Sequence, residues 1–453
     1  MLLLLAAWLL FSCGKNEIPP VIPPVIDSTD NGQYGTPFSN VTDREDAVIY
    51  QVNIRAFSTA GNFQGVIDRL DSIKALGVNV IYLMPIYPLG ALNAINSPYC
   101  IKDYLTVNTE FGTLDNLRAL VDGAHNRNMS VILDWVGNHT SWDHTWIGPH
   151  PDWYLQNSSG TIISPPGTGW NDVAQLNFDN ADMRLQMISA MKYWVYQANI
   201  DGFRCDFADG PPADFWTQAI DTLRDISTHK LLLLAEGTRA ANFTSGFDFN
   251  FGFNFYDNLK TIYSNNVSVL TINTLNISEY AGAVTGQQVV RYTTNHDVNG
   301  SDGTPLYLFK GENGSLAAFA VVAFFKSVPM IYSGQEVGMT QPITFPFTGI
   351  NINWNSNPGI TPHYKKIIAV RNNLESIRRG SLSFLSDANV CAFKKELNQE
   401  IVFVIINMRN QTVNYSIPSV YHNTSWTDQI SDAPVMLGTS VSLEPYEYLV
   451  LKK

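Results

Sequence analysis

The chain has 453 residues, 45% hydrophobic and 15% charged, which supplies a large core and excludes the disordered and collagen-like classes. Lys and Arg total 28 against 40 Asp and Glu, a net charge of -12 whose field repels a phosphate backbone, so nucleic acid is excluded as a partner. Four cysteines, Cys13, Cys100, Cys205 and Cys391, lie far apart, with neither the spacing of a zinc site nor the density of a disulfide scaffold.

Residues 1–12 are an apolar run of signal-peptide length, shorter than the about 20 residues a helix needs to span a bilayer. No Lys or Arg precedes the run. Leu10-Phe11-Ser12-Cys13 resembles a bacterial lipoprotein signal, which would make Cys13 the lipid-bearing first residue of an exported, membrane-anchored protein. The other reading is an ordinary cleaved signal in which Cys13 is incidental. Residues 14–40 contain Ile-Pro-Pro-Val-Ile-Pro-Pro-Val, a density of proline that favours an extended spacer with no core of its own.

From residue 41 to 380 short apolar runs alternate with stretches of helical period. Runs at 47–53, 78–85, 130–136, 202–207, 231–237, 247–251, 289–297 and 328–336 read as strands buried on both faces. Phe63, Val66, Ile67, Leu70, Ile73 and Leu76 recur at helical spacing and predict one helix closed by Gly77. Pro211 and Pro212 precede the periodic Phe215, Ile220 and Leu223, as at a helix start. Residues 137–180 break the rhythm with Gly, Pro, Ser and Trp, a long insertion of the functional kind. A last amphipathic helix is predicted over 364–377, and residues 381–453 show short alternating runs between turns. The fold class that follows is an α/β (β/α)8 TIM barrel with a short insertion after the third strand and a C-terminal antiparallel β-sandwich domain.

In such a barrel the active site lies at the carboxyl ends of the strands. Asp134 ends the third predicted strand, Arg204 and Asp206 the fourth, Glu236 the fifth, and His296 and Asp297 the seventh. Any one acidic residue there has a bland explanation, as a helix cap or as a partner for Arg204. Several converging on one mouth fit glycosidic bond cleavage, in which one carboxylate attacks or stabilises the anomeric carbon and another protonates the departing oxygen.

The motifs DWVGNH (134–139), GFRCD (202–206), LLAEG (233–237) and TNHD (294–297) resemble, in order and spacing, the conserved regions of the alpha-amylase family of glycoside hydrolases, family thirteen. The resemblance extends from about residue 46 to the C-terminus. It implies a retaining glycoside hydrolase of alpha-glucosidic, mainly alpha-1,4, bonds in starch-like glucans or maltooligosaccharides. Carried over by motif position, Asp206 is the nucleophile, kept ionised by Arg204, and Glu236 is the general acid and base. Asp297 binds sugar hydroxyls, His139 and His296 donate to the same sugar, Tyr99 stacks on its ring, and Asp134 organises the site.

Two departures bear on that reading. The Lys and His that follow the nucleophile by three and four residues in many relatives are Asp209 and Gly210 here, so contacts on the leaving-group side differ. The calcium ion frequent in the family would use Asn138 and, in this chain, Asp172, because Gln175 stands where an acidic ligand is common; a hard cation favours a richer oxygen donor set than this. Trp135, Trp142, Trp146, Trp153 and Trp170 are candidates for lining a sugar cleft or for packing. Transglycosylation, cleavage of cyclodextrins or pullulan, and a catalytically silent glucan-binding protein are the alternatives.

Overall fold

The structure is a computed structural model describing residues 32–453; the apolar leader, Cys13 and most of the Pro-rich stretch lie outside the described residues. Eight parallel strands close a barrel: β1 (Ile49–Val52), β2 (Val80–Leu83), β3 (Ser130–Trp135), β6 (Gly202–Cys205), β7 (Leu232–Ala235), β8 (Phe249–Phe251), β9 (Gln288–Tyr292) and β10 (Val328–Tyr332). Between β3 and β6 a two-stranded antiparallel ribbon, β4 (His139–Ser141) with β5 (Val173–Gln175), belongs to the insertion. Each predicted strand is present. Their continuous apolar sequences follow from burial on both faces: Ile49, Val80, Ile132, Leu234, Phe249 and Val290 fill one apolar cluster. Their neighbours Tyr50, Ile81, Val131, Leu133 and Leu233 join the larger cluster that includes the surrounding helices.

Two predicted helices are each divided in two. Phe63–Ile67 and Leu70–Lys74 are separated at Asp68 and Arg69, where the Arg69 N–H shortens its bond to Val66. The Arg69 guanidinium lies 3.8 Å from the centre of the Trp354 ring, a contact outside the reach of local periodicity. Thr361–Asn373 and Glu375–Arg379 are separated at Leu374, which takes an extended conformation (φ -106°, ψ 104°). The helix Ala213–Arg224 starts directly after Pro212, which provides its N-cap.

Residues 381–452 form a six-stranded antiparallel sheet and a two-stranded one, Val413–Ser416 with Ser440–Leu443. Phe403 and Trp426 from the larger sheet meet Tyr415 and Leu443 from the smaller in one apolar core, which makes this region a sandwich. It is fastened to the barrel by buried Arg409, whose guanidinium donates to the carbonyls of Ile262 and Val267 at 2.8 Å each.

The insertion is packed by its aromatic residues. Trp146 contacts Tyr104, His144 and Trp153 at ring separations of 5.2, 4.7 and 5.2 Å, and His150 stacks on Trp153 at 4.0 Å. Trp135, Trp146 and Trp153 are therefore structural, as is His144, which accepts the Trp146 N–H.

One glycine is required by strand packing. Gly202 opens β6 at φ +144°, and a Cβ there would lie 1.9 Å from the Leu232 carbonyl oxygen of β7. Gly202→Ala should cost about 3 kcal/mol of stability through that clash with backbone. Gly148→Ala, a position with nothing within 4 Å, should be close to neutral. Equilibrium urea unfolding of both variants checks the contrast, and equal midpoints would refute it.

Candidate active site

The polar strand ends do meet at one mouth. Asp134 and Arg204 lie within β3 and β6 and face each other in the parallel register. Asp206 and Glu236 directly follow β6 and β7, and the ladder continues through them: the Asp206 N–H donates to the Trp135 carbonyl at 2.8 Å and the Glu236 N–H to that of Cys205 at 2.9 Å. His296 and Asp297 begin the helix His296–Asp302, which Asn295 caps by accepting the N–H groups of Asp297 and Val298.

Arg204 is fully buried and touches three carboxylates. Its Nη1 donates to Asp134 Oδ1 at 2.6 Å and to Asp206 Oδ1 at 3.0 Å, and its Nη2 pairs with Glu236 Oε1. The second Glu236 oxygen accepts the Phe207 N–H at 2.7 Å. Phe207 has φ +41°, a left-handed conformation that costs a non-glycine residue about 1–3 kcal/mol; it aims that N–H at the carboxylate. Burial pushes the Asp134 carboxyl up to about 6 against the pull of Arg204. Asp206 is also raised well above the usual carboxylate range, by burial first and by the Glu236 charge second, with Arg204 opposing. Arg204 acts on Asp206 in the expected direction, but burial and the Glu236 charge outweigh it. Three carboxylates around one cation carry excess negative charge in a low dielectric, which together with burial raises Asp134 and Asp206.

A second, neutral network adjoins this one. The Gln51 side-chain amide lies 2.7 Å from His296 Nδ1, and His296 Nε2 lies 2.6 Å from the Tyr99 hydroxyl. With Gln51 donating to Nδ1, the Nε2–H donates to Tyr99, whose own O–H donates to Asp134 Oδ2 at 3.0 Å. Tyr82 donates to the same Asp134 oxygen at 2.6 Å. Burial lowers His296 to about 3 and His139 to about 4, so both rings are neutral at working pH.

These groups open into a cavity of about 570 Å³ lined by Tyr99, His139, Asp206, Glu236, His296 and Asp297, a size suited to a few sugar units. Asp297 presents a half-exposed carboxylate to it. Of the five insertion-region tryptophans, Trp170 lines the cavity, 37% exposed. The remaining apolar wall is made by Ile95, Phe207, Phe253, Phe345 and Phe347, which the sequence reading did not single out. Gln51, Tyr82 and Arg55 were missed as well. The first two are polar groups inside apolar strands, a signal of the kind that identified Asp134. Arg55 donates to Glu110, to Asn96 and to the Pro346 carbonyl, tying together the loops that carry Ile95 and Phe345.

Asn138 and Asp172 are not brought together. In the β4–β5 ribbon His139 pairs with Gln175 and Ser141 with Val173, which puts the two residues at opposite ends of it. Asp172 borders the catalytic cavity, whereas the Asn138 side chain donates to Gln175 Oε1 at 3.1 Å and Gln175 Nε2 returns a bond to the Asn138 carbonyl at 3.0 Å. Among the described residues no group of three or more His, Cys, Asp or Glu could hold a metal ion. Asn138 and Asp172 therefore do not ligate one calcium ion together.

The alpha-amylase family, through its catalytic domain, matches residues 28–159 and 168–358. The chain belongs to the alpha-amylase family. Alpha-amylase 3 of Dictyoglomus thermophilum is 24% identical over 441 residues, covering 82% of this chain and 87% of that protein. Neopullulanase 2 of Thermoactinomyces vulgaris is 26% identical over 431 residues, covering 86% and 70% respectively. Among solved structures, an alpha-amylase from Lactobacillus plantarum superposes with a TM-score of 0.82 at 25% identity, covering 90% of this chain and 99% of that one. The gap in the family match, 160–167, falls within the insertion of this alpha-amylase family glycoside hydrolase.

A carboxyl whose pKa is raised on folding favours the folded state at low pH, and that contribution is lost as the pH rises through the raised value. Arg204→Met removes the opposing cation and raises Asp134 and Asp206 further. The variant should lose about 3–5 kcal/mol relative to the parent at pH 8 and clearly less at pH 5. Denaturant unfolding at both values checks this, and a deficit that grows on acidification would refute it.

Proposed function

We propose that this glycoside hydrolase cleaves alpha-glucosidic bonds, mainly alpha-1,4, of starch-like glucans or maltooligosaccharides with retention of anomeric configuration. The observation that carries the reading is the meeting of Asp206 and Glu236 on the two terminal nitrogens of Arg204, with Asp297 bordering the same cavity. Asp206 attacks the anomeric carbon and forms a glycosyl ester while Glu236 gives its proton to the departing glycosidic oxygen. Glu236 then takes a proton from water as the water attacks the ester, returning Asp206 to its carboxylate. Arg204 and Asp134 hold the two catalytic carboxylates in place, Asp297 and His139 take the hydroxyls of the reacting sugar, and His296, both of whose ring nitrogens are bonded to Gln51 and Tyr99, orients Tyr99 instead of donating to the sugar. Tyr99 and Trp170 offer it flat faces.

The likeness to Neopullulanase 2 supports a second reading, in which pullulan or cyclodextrins are cleaved or the sugar passes to an acceptor sugar instead of water. A silent glucan-binding protein is disfavoured, since each catalytic carboxylate is present and opens into the cavity. We also propose export, with a lipid at Cys13 and the Pro-rich residues after it as the spacer; the expected 14–40 span is too long, because Tyr34 donates to Asp122 at 2.7 Å and Phe38 stacks on His125 at 4.2 Å, which places residues 34–40 on the barrel. The apolar leader and the proline density support export; among the described residues no helix is long and apolar enough to cross a membrane.

Sugar release from soluble starch, pullulan and maltooligosaccharides tests the assignment. The parent should release alpha-configured products, and Asp206→Asn should lose about 10⁴-fold or more in kcat. Absence of release from each substrate by folded parent protein would overturn the substrate class.

The acid side of the rate profile follows from the same carboxyl. Asp206 must be ionised to attack, and its pKa is raised, so kcat/KM falls as the pH drops through a value above the ordinary carboxylate range near about 4. An acid limb at or below that range would contradict the raised pKa.

A further inference from the structure

Asp209 stands where the family resemblance leads one to expect a Lys that contacts sugar on the leaving-group side. Its charge is opposite, and although it borders the catalytic cavity, its carboxylate is bonded to the protein. Asp209 Oδ2 accepts the Thr238 N–H at 2.9 Å, and Oδ1 accepts the Asn242 side-chain amide at 2.9 Å. Arg239 laces the loops in the reverse direction, donating to the carbonyls of Ala208 at 2.8 Å, Asp209 at 3.2 Å and Pro211 at 3.0 Å. The two loops joined this way are those that directly follow Asp206 and Glu236.

Between them lies Gly237, the residue after Glu236. A Cβ at Gly237 would meet Asp209 Oδ1 at 2.2 Å and the Asn242 amide nitrogen at 2.7 Å, so only glycine lets the Asp209 carboxylate pack over this backbone. The backbone that follows Glu236 is held on one side by the Phe251 N–H, which donates to the Gly237 carbonyl at 3.1 Å, and on the other by Asp209 through Thr238, while the Glu236 side chain is fixed by Arg204 and the Phe207 N–H. A general acid works only when its proton is aimed at the leaving oxygen, and a displacement of about 1 Å costs about 10²-fold in rate.

We propose that Asp209 is a positioning residue for the Glu236 general acid and sets how well sugar leaving groups are expelled. The inference rests on the hydrolase reading above. A sugar alkoxide needs the Glu236 proton when the glycosidic C–O bond breaks, whereas an α-glycosyl fluoride releases fluoride with little help from an acid. Loss of Asp209 thus weakens one substrate far more than the other.

The test compares kcat/KM on maltotriose and on α-maltosyl fluoride for the full chain, for Asp209→Ala and for Asp209→Asn. Asp209→Ala should lose about 10²-fold on maltotriose but only a few-fold on the fluoride, with Asp209→Asn intermediate because its side-chain oxygen still accepts one of the bonds. Gly237→Ala should reproduce the Asp209→Ala pattern, and the double variant should be no worse than Asp209→Ala alone, since both act on one contact. Equal losses on both substrates, no loss on maltotriose, or additive losses in the double variant would overturn the proposal. Asp206→Asn serves as the separate control: if it still turned over the fluoride, the hydrolase reading itself would fail, whatever the Asp209 variants do.

Discussion

The site depends on one buried cation. Arg204 has no exposed side-chain surface, and it bonds to carboxylates that arrive from three neighbouring strands. Without it those groups would be forced together in a medium of low dielectric with nothing to oppose their repulsion. With it they are held within one hydrogen-bonded unit, yet the unit keeps more negative than positive charge. That imbalance is chemically useful. A retaining glycosidase places two acids beside one another, and here burial and the surplus of acids over cations raise Asp134 and Asp206 above the ordinary carboxylate range.

The parallel barrel is what makes such a cluster affordable. The Arg204–Asp134 contact is between residues directly paired in register on β6 and β3, and Asp206 and Glu236 are the first residues beyond their strands, their N–H groups still bonded to the neighbouring strand. Positions set by strand pairing cannot drift by an ångström without breaking the ladder. The neutral chain through Gln51, His296, Tyr99 and Asp134 extends the same rigidity across the mouth to β1 and the helix after β9. Donors and acceptors are thus aligned before a substrate arrives, so little reorganisation is left for the reaction.

The strands were legible in the sequence because both of their faces are buried and their apolar runs are continuous, and the polar groups that interrupt those runs at the ends stood out for the same reason. What was not legible depends on contacts between distant segments. Nothing local foretells the helix break at Asp68 and Arg69, beside which Arg69 lies against Trp354. The apolar wall of the cavity comes from Ile95, Phe345 and Phe347 in loops without periodicity, held by Arg55 from the far side. Tryptophan content was a poor guide to the cleft, since large rings are also what fills the join between insertion and barrel; Trp170 alone of the five singled out borders the cavity. The separation of Asn138 from Asp172 follows from the register of the β4–β5 ribbon, which a linear spacing does not reveal.

The two sides of the cleavage point are therefore built differently. Asp134, Arg204 and Asp206 belong to strands or their immediate ends, and a substitution that moved them would disturb the barrel itself. Glu236 begins from an equally rigid strand end, but the chain beyond it turns at once into a loop whose course is decided by Asp209, Gly237, Arg239 and Asn242. Asp209, Arg239 and Asn242 lie outside the strand ladder, while Gly237 is its last member, accepting the Phe251 N–H. Bond-breaking chemistry is consequently anchored to the architecture, while recognition of the departing group is delegated to a laced pair of loops. Asp209, bonded inward to Thr238 and Asn242, belongs to that second kind.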